Sequence, residues 1–134
     1  KKRLLGIGGF LNVAISSKKR VHCGAFTGGE FEAKIEEERL TIIKEGEEKK
    51  FVDEVDQITV SGEYALEVGQ PVMVITERGV FEWTKEGLIL KEIAPGIDIK
   101  KDIIEKMAFQ PIIAKDLKKM TPELFRKEPL NKRF

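Results

Sequence analysis

The chain has 134 residues, with 24 Lys and Arg against 23 Asp and Glu and a hydrophobic fraction of 41%. That length suits one domain, which buries roughly two thirds of the surface it exposes when unfolded. The evenly mixed charge argues against disorder and against a nucleic-acid partner, for which one Trp and one Tyr form no stacking platform. A single cysteine, Cys23, excludes an internal disulfide and clustered-thiolate metal sites, and a single histidine, His22, leaves the usual zinc triads unavailable. No apolar run approaches the ~20 residues that span a bilayer. The expectation is a soluble, cytoplasmic protein with no metal and no membrane or nucleic-acid partner.

The N-terminal stretch KRLLGIGGFLNVAISS places a Gly-x-Gly-Gly turn, Gly6 to Gly9, directly before an apolar-periodic segment. Glycines reach backbone angles that side chains forbid and leave amide N–H groups free to converge on a ligand. The first turn of a following helix adds unpaired N–H donors. A phosphate, a carboxylate or a thioester oxyanion fits such a place, although the glycines also suit plain close packing of helix on sheet. The motif lacks the Lys-Ser/Thr of a P-loop and the spaced third glycine of a dinucleotide fingerprint. The start at Lys1-Lys2-Arg3, so close to the turn, is read as that of a piece from a longer protein.

A short helix is expected over Phe10–Ile15, and then a buried strand over Arg20–Phe26, parallel to a strand outside the sequence. Glu30–Glu45 alternates apolar and charged residues, which predicts an antiparallel hairpin with one wet face. Gln57–Ser61 is a further strand candidate. Gly62–Gly69 suits a helical turn or two, ended by Gly69 and barred from continuing by Pro71. Val72–Thr76 reads as a central strand, and Val80–Thr84 and Leu88–Ile93 complete a meander. After the break at Ala94-Pro95-Gly96, Asp98 caps a helix presenting Ile99, Ile103, Ile104 and Met107 on one face. Thr121-Pro122 starts another helix. The stretch from Arg126 to Phe134 is expected to be a loosely docked tail on a single domain of residues 1–134.

Other candidate chemistry is weaker. His22 and Cys23 are adjacent on a predicted strand, so they point to opposite faces and do not form a nucleophile–base pair; a buried Cys and a half-buried His are expected. Glu36, Glu37, Glu38, Glu45, Glu47 and Glu48 read as solvated turn residues, Glu63 as a turn residue without a role, although a strand end such as this can display a catalytic carboxylate, and Phe81 with Trp83 as core.

Taken together, GIGGFLNVAISSKKRVHCGAFTGG, QITVSGEYA, VMVITERGVFEWTKEGLILKEIAPGID and FQPIIAKDLKKM resemble the C-terminal portion of the family I coenzyme A transferases, closest to the fused acetate/propionate and acetoacetate types. The resemblance implies an α/β fold with an open, mainly parallel sheet and flanking helices, here carrying an antiparallel hairpin and meander. It also implies a homo-oligomer working in short-chain fatty acid and ketone body metabolism. Its substrates are an acyl-CoA and a short-chain carboxylic or 3-oxo acid, with CoA as substrate and no permanently bound cofactor. In the family a glutamate attacks the thioester and becomes a glutamyl-CoA thioester. By that likeness Gly8 and Gly9 supply backbone N–H groups to the oxyanion, and Gly6 and Ile7 complete the binding turn. No glutamate here matches the nucleophile's motif, so the resemblance requires an N-terminal catalytic portion or partner subunit and implies that this segment alone is inactive. The alternatives are a non-catalytic assembly or binding module and an acyl-CoA hydrolase-like relative.

Overall fold

A computed structural model describes residues 8–55, 58 and 60–129. Its centre is a five-stranded sheet in the order β1-β6-β7-β8-β9, built from β1 (Arg20–Cys23), β6 (Val72–Ile75), β7 (Gly79–Thr84), β8 (Gly87–Ile93) and β9 (Ile112–Lys119). The β6–β7 and β7–β8 pairs are antiparallel, joined by short turns at Glu77-Arg78 and Lys85-Glu86, whereas β1–β6 and β8–β9 are parallel. The α/β arrangement therefore rests on a mixed sheet, not a mainly parallel one. The parallel partner of β1 also lies within the chain: Arg20 to Cys23 run in register with Val72 to Ile75.

The strand at Arg20 is shorter and wetter than expected. It ends at Cys23, and only Arg20 is buried. β1 is the first strand of the sheet order, with one hydrogen-bonded neighbour among the described residues, and Val21, His22 and Cys23 are exposed.

Each face of the sheet carries its own core. Phe81, Leu88, Leu90 and Ile93 pack with Phe26, Ile103 and Met107 on one side; Val80, Ala94, Leu40, Met120 and Phe125 pack on the other. The second face is covered by the hairpin β3 (Glu32–Glu36) and β4 (Arg39–Lys44), which matches the alternation of its sequence. A smaller ladder pairs β2 (Thr27–Gly28) with β5 (Glu48–Lys49).

Helix is sparse. α1 spans Phe10–Ser16 and α2 spans Gly62–Glu67. The Ser61 hydroxyl accepts a hydrogen bond from Tyr64 N at 3.0 Å and caps α2; of the strand expected over Gln57–Ser61, residues 57 and 59 lie outside the described residues. Gly62 is required there: a Cβ would stand 2.4 Å from Trp83 Nε1, so only glycine lets α2 begin against the indole. Gln70 Nε2 donates to Ala14 O at 2.9 Å and ties α1 to the approach of β6.

The segment after Asp98 is correctly capped but is not a regular helix. Asp98 Oδ1 accepts from Lys101 N, and Asp102 Oδ2 accepts from Asp98 N, both at 2.8 Å. It then forms a π-type turn over Ile99–Ile103 and a 3-10 turn over Ile104–Lys106. Three β-branched isoleucines in six residues favour helix weakly, and the burial of Ile103 and Met107 fixes the segment instead.

The tail is docked at its start, where Phe125 is buried and Arg126 pairs with Glu38. Among the described residues no helix is long and apolar enough to cross a membrane.

Candidate active site

Of the glycine turn, Gly6 and Ile7 lie outside the described residues, while Gly8 and Gly9 are described. Gly8 has φ +57°, a left-handed conformation that L side chains rarely adopt. Gly9 precedes α1 with φ −83°, and its carbonyl closes the first helical turn by accepting from Val13 N. Among the described residues, a Cβ added at either glycine would meet nothing within 4 Å. Glycine at position 8 is thus explained by backbone conformation; at position 9 neither conformation nor internal packing demands it.

The fold brings this turn to the carboxyl end of β1. The Phe10 ring, directly after Gly9, lies with its centroid 6.2 Å from that of His22. In open α/β sheets this end of the strands is where ligands sit. A cleft of about 380 Å³ opens beside it, lined by His22, Ala25, Lys50, Phe51, Val74 and Thr76 among others. Lys50 Nζ donates to Ala25 O at 3.0 Å, and the Thr76 hydroxyl is engaged with the backbone of Gly79. His22 and Cys23 are both exposed here, correcting the expectation of a buried Cys and a half-buried His. Their alternation stands: His22 aligns with Val74 and Phe81, and Cys23 with Ile75 and Val80.

Behind the cleft lies a cluster that the sequence reading missed. Arg78 is fully buried. Its Nη1 and Nη2 donate to the two oxygens of Glu45 at 2.8 and 3.0 Å, its Nε donates to Glu77 at 2.6 Å, and Nη1 also donates to Asp102 O at 3.0 Å. The guanidinium carbon stands 4.8 Å from the Phe26 ring centroid and 5.2 Å from that of Phe31. The carboxylates carry the network onward, Glu45 accepting from the Thr27 hydroxyl at 2.7 Å and Glu77 from Phe26 N at 2.9 Å. Arg78 thereby fixes the loop that follows β1 and forms one wall of the cleft.

Glu45 is therefore not the solvated turn residue expected. Burial pushes its carboxyl up, but the hydrogen bonds from Arg78 and Thr27 and the Arg78 charge outweigh that and hold it below the ordinary carboxylate range. Burial likewise lowers Arg78, and its two carboxylate partners more than reverse the effect. Glu36, Glu37, Glu47 and Glu48 are exposed as expected, Glu38 is half-buried, and Glu63 is exposed in the first turn of α2. Among the described residues no group of three or more His, Cys, Asp or Glu is arranged to hold a metal ion.

A glycine turn and a cleft at the carboxyl end of a parallel strand pair define an α/β segment built to hold a ligand. No family model matches the chain. It is 46% identical over 123 residues to the acetate CoA-transferase YdiF of Escherichia coli K12 and, at the same identity and span, to the caffeate CoA-transferase of Acetobacterium woodii; the match covers 92% of this chain and 23% of each relative. The fold agrees with the crystal structure of acyl-CoA transferase YdiF from E. coli O157:H7 in a thioester complex with CoA, at a TM-score of 0.89 and 47% identity over 91% of this chain and 24% of that one. The apoenzyme gives a TM-score of 0.91 at 45% identity. The likeness to coenzyme A transferases therefore extends over almost the whole chain, which spans about a quarter of their length and corresponds to part of such an enzyme.

Proposed function

We propose that this chain is a C-terminal part of an enzyme that moves CoA from an acyl-CoA to a short-chain carboxylic or 3-oxo acid, and that it contributes the oxyanion turn but not the nucleophile. The observation that carries this reading is the 46% identity maintained over 92% of the chain to two CoA-transferases of which it spans only 23%.

In the proposed reaction a glutamate outside this chain attacks the thioester carbonyl. The resulting acyl-glutamyl anhydride is opened by the CoA thiolate, which frees the first acid and leaves a glutamyl-CoA thioester. The acceptor carboxylate then reverses these steps. Each tetrahedral intermediate places negative charge on an oxygen, and preorganised backbone N–H donors stabilise that charge without reorganising. Gly8 and Gly9 are assigned this task, with Gly6 and Ile7 shaping the turn. The open space beside Gly8 and Gly9 supports the assignment, because a side chain at position 9 would occupy the volume through which a thioester approaches.

The test is Gly9→Ala in the complete enzyme: the backbone N–H remains, but the added methyl stands in the space beside it, and keeping the oxyanion from one donor costs about 100-fold or more in kcat. Gly8→Ala is expected to do the same while adding backbone strain of ~1 kcal/mol. Normal turnover in both variants would remove the turn from the mechanism. The isolated chain is expected to show no CoA transfer, and measurable transfer from acetoacetyl-CoA to acetate by the pure chain would refute the division of labour.

A further inference from the structure

The cleft beside the glycine turn has two unlike sides. Phe51 and Val74 are half-buried and apolar, and Phe51 is braced from behind by the Phe26 and Phe81 rings at centroid distances of 4.9 and 5.1 Å. On the other side His22 and Lys50 are exposed and bring N–H donors to the rim. Lys50 is held in place: one of its three ammonium hydrogens goes to Ala25 O at 3.0 Å, which leaves two for a ligand. Ala25 in turn precedes Phe26, whose backbone N–H is anchored on Glu77 in the Arg78 cluster.

An apolar wall faced by one cation and one imidazole suits a small molecule with a hydrocarbon part and a single negative group. Phosphate-rich ligands call for more positive charge than one lysine. Its volume of about 380 Å³ lies at the lower end of the range for small-molecule sites. The proposed oxyanion turn is near this cleft: Phe10, directly after Gly9, has its ring centroid 6.2 Å from that of His22 in the cleft lining.

We propose that this cleft is the subsite for the free carboxylic acid of the transfer reaction, with its carbon chain against Phe51 and Val74 and its carboxylate directed to Lys50 and His22. The proposal rests on the reading of the chain as part of a CoA-transferase, and it adds Lys50 as a residue that distinguishes the free acid from the acyl thioester. A thioester has no carboxylate at that carbon, so Lys50 favours the acid alone. Phe51 sets how large a chain is accepted.

The experiment is steady-state kinetics of the complete enzyme with the acid and the acyl-CoA varied separately. Lys50→Gln, an exposed substitution that leaves both cores untouched, is expected to raise KM for the acid about tenfold, the loss of one charge-assisted hydrogen bond. KM for the acyl-CoA is expected to stay within about twofold, and Lys50→Arg to restore the acid KM. Phe51→Leu is expected to shift the kcat/KM ratio of butyrate over acetate by about threefold or more, within the range for a change of one or two methylenes in an apolar pocket. An unchanged acid KM in Lys50→Gln, or an equal rise for acid and acyl-CoA, overturns the subsite. Gly9→Ala run alongside separates the two ideas: if it slows turnover while Lys50→Gln changes nothing, the subsite alone fails; if Gly9→Ala is also silent, the oxyanion reading fails with it.

Discussion

Among the described residues two arginines are buried, and they are solved differently. Arg78, with no exposed surface, has two carboxylates, a carbonyl and two aromatic faces around its guanidinium. Arg20, 7% exposed at the start of β1, has buried Nε and Nη2 atoms that find no hydrogen-bond acceptor among the described residues. Taking a guanidinium out of water costs several kcal/mol, and only close, well-aligned partners offset it. Arg78 is thus a junction that the surrounding loops were built to meet. Arg20, on the first strand of the sheet, buries two of its three guanidinium nitrogens without such partners.

The largest effect separating the two is expected from Arg78→Met. It removes the counter-charge of Glu45 and Glu77 together and leaves two partly buried carboxylates without their main donor, a loss of about 3–5 kcal/mol. Denaturant unfolding of the chain measures it. A loss below about 1 kcal/mol would show that the cluster is no stronger than an exposed pair such as Arg126–Glu38.

Arg20→Met is expected to act in the opposite direction. Replacing a guanidinium with two buried, unbonded nitrogens by an apolar chain of similar length removes their desolvation cost and keeps the place beside Val72, so stability rises by about 1–3 kcal/mol. A melting temperature at or below that of the parent chain would show that the Arg20 guanidinium is paired in solution, and the contrast with Arg78 would collapse.

That contrast also explains what was legible in the sequence. Local patterns carried the β3–β4 hairpin, the β6–β7–β8 meander, the α1 and α2 segments and the Asp98 cap, because alternation, glycine turns and capping residues act within a few positions of one another. β9 gave no such signal. Its pairing with β8 shifts register between Leu90 and Glu92, so Ile113 faces Leu90 but Lys118 faces Glu92, and the segment never shows a clean alternation. The Arg78 cluster was hidden for a different reason. Glu45 lies in a run of charges that reads as solvated, and its partner is 33 residues away, behind a turn that looks like an ordinary hairpin connection. A buried ion pair is a property of the assembled fold, and only the placement of Arg78 between two apolar strands hinted at it. The glycine turn was the reverse case, since its motif was readable but its neighbour, the His22–Lys50 cleft, required β1, β6 and the loop after β5 to be brought together.

The smallest effect that still distinguishes the arginines is in the pH dependence. Glu45 is held below its ordinary value of 4.5 in the folded chain, so it contributes stability that is fully present above that value and is lost as pH falls through the lower, folded one. Unfolding is therefore favoured by acid in the window just below pH 4.5, with Arg78 as the source. In Glu45→Gln the side chain still accepts a hydrogen bond but no longer titrates. The variant is expected to lose on the order of 1 kcal/mol at neutral pH and to show a shallower fall in stability across the acid window. In Arg78→Met the same shallowing is expected, because Glu45 then returns toward its ordinary value. Arg20→Met is expected to leave the acid limb unchanged, as no carboxylate among the described residues is bonded to Arg20. An Arg20 variant that flattened the acid limb as much as Glu45→Gln would mean that a carboxylate had been paired with Arg20 all along.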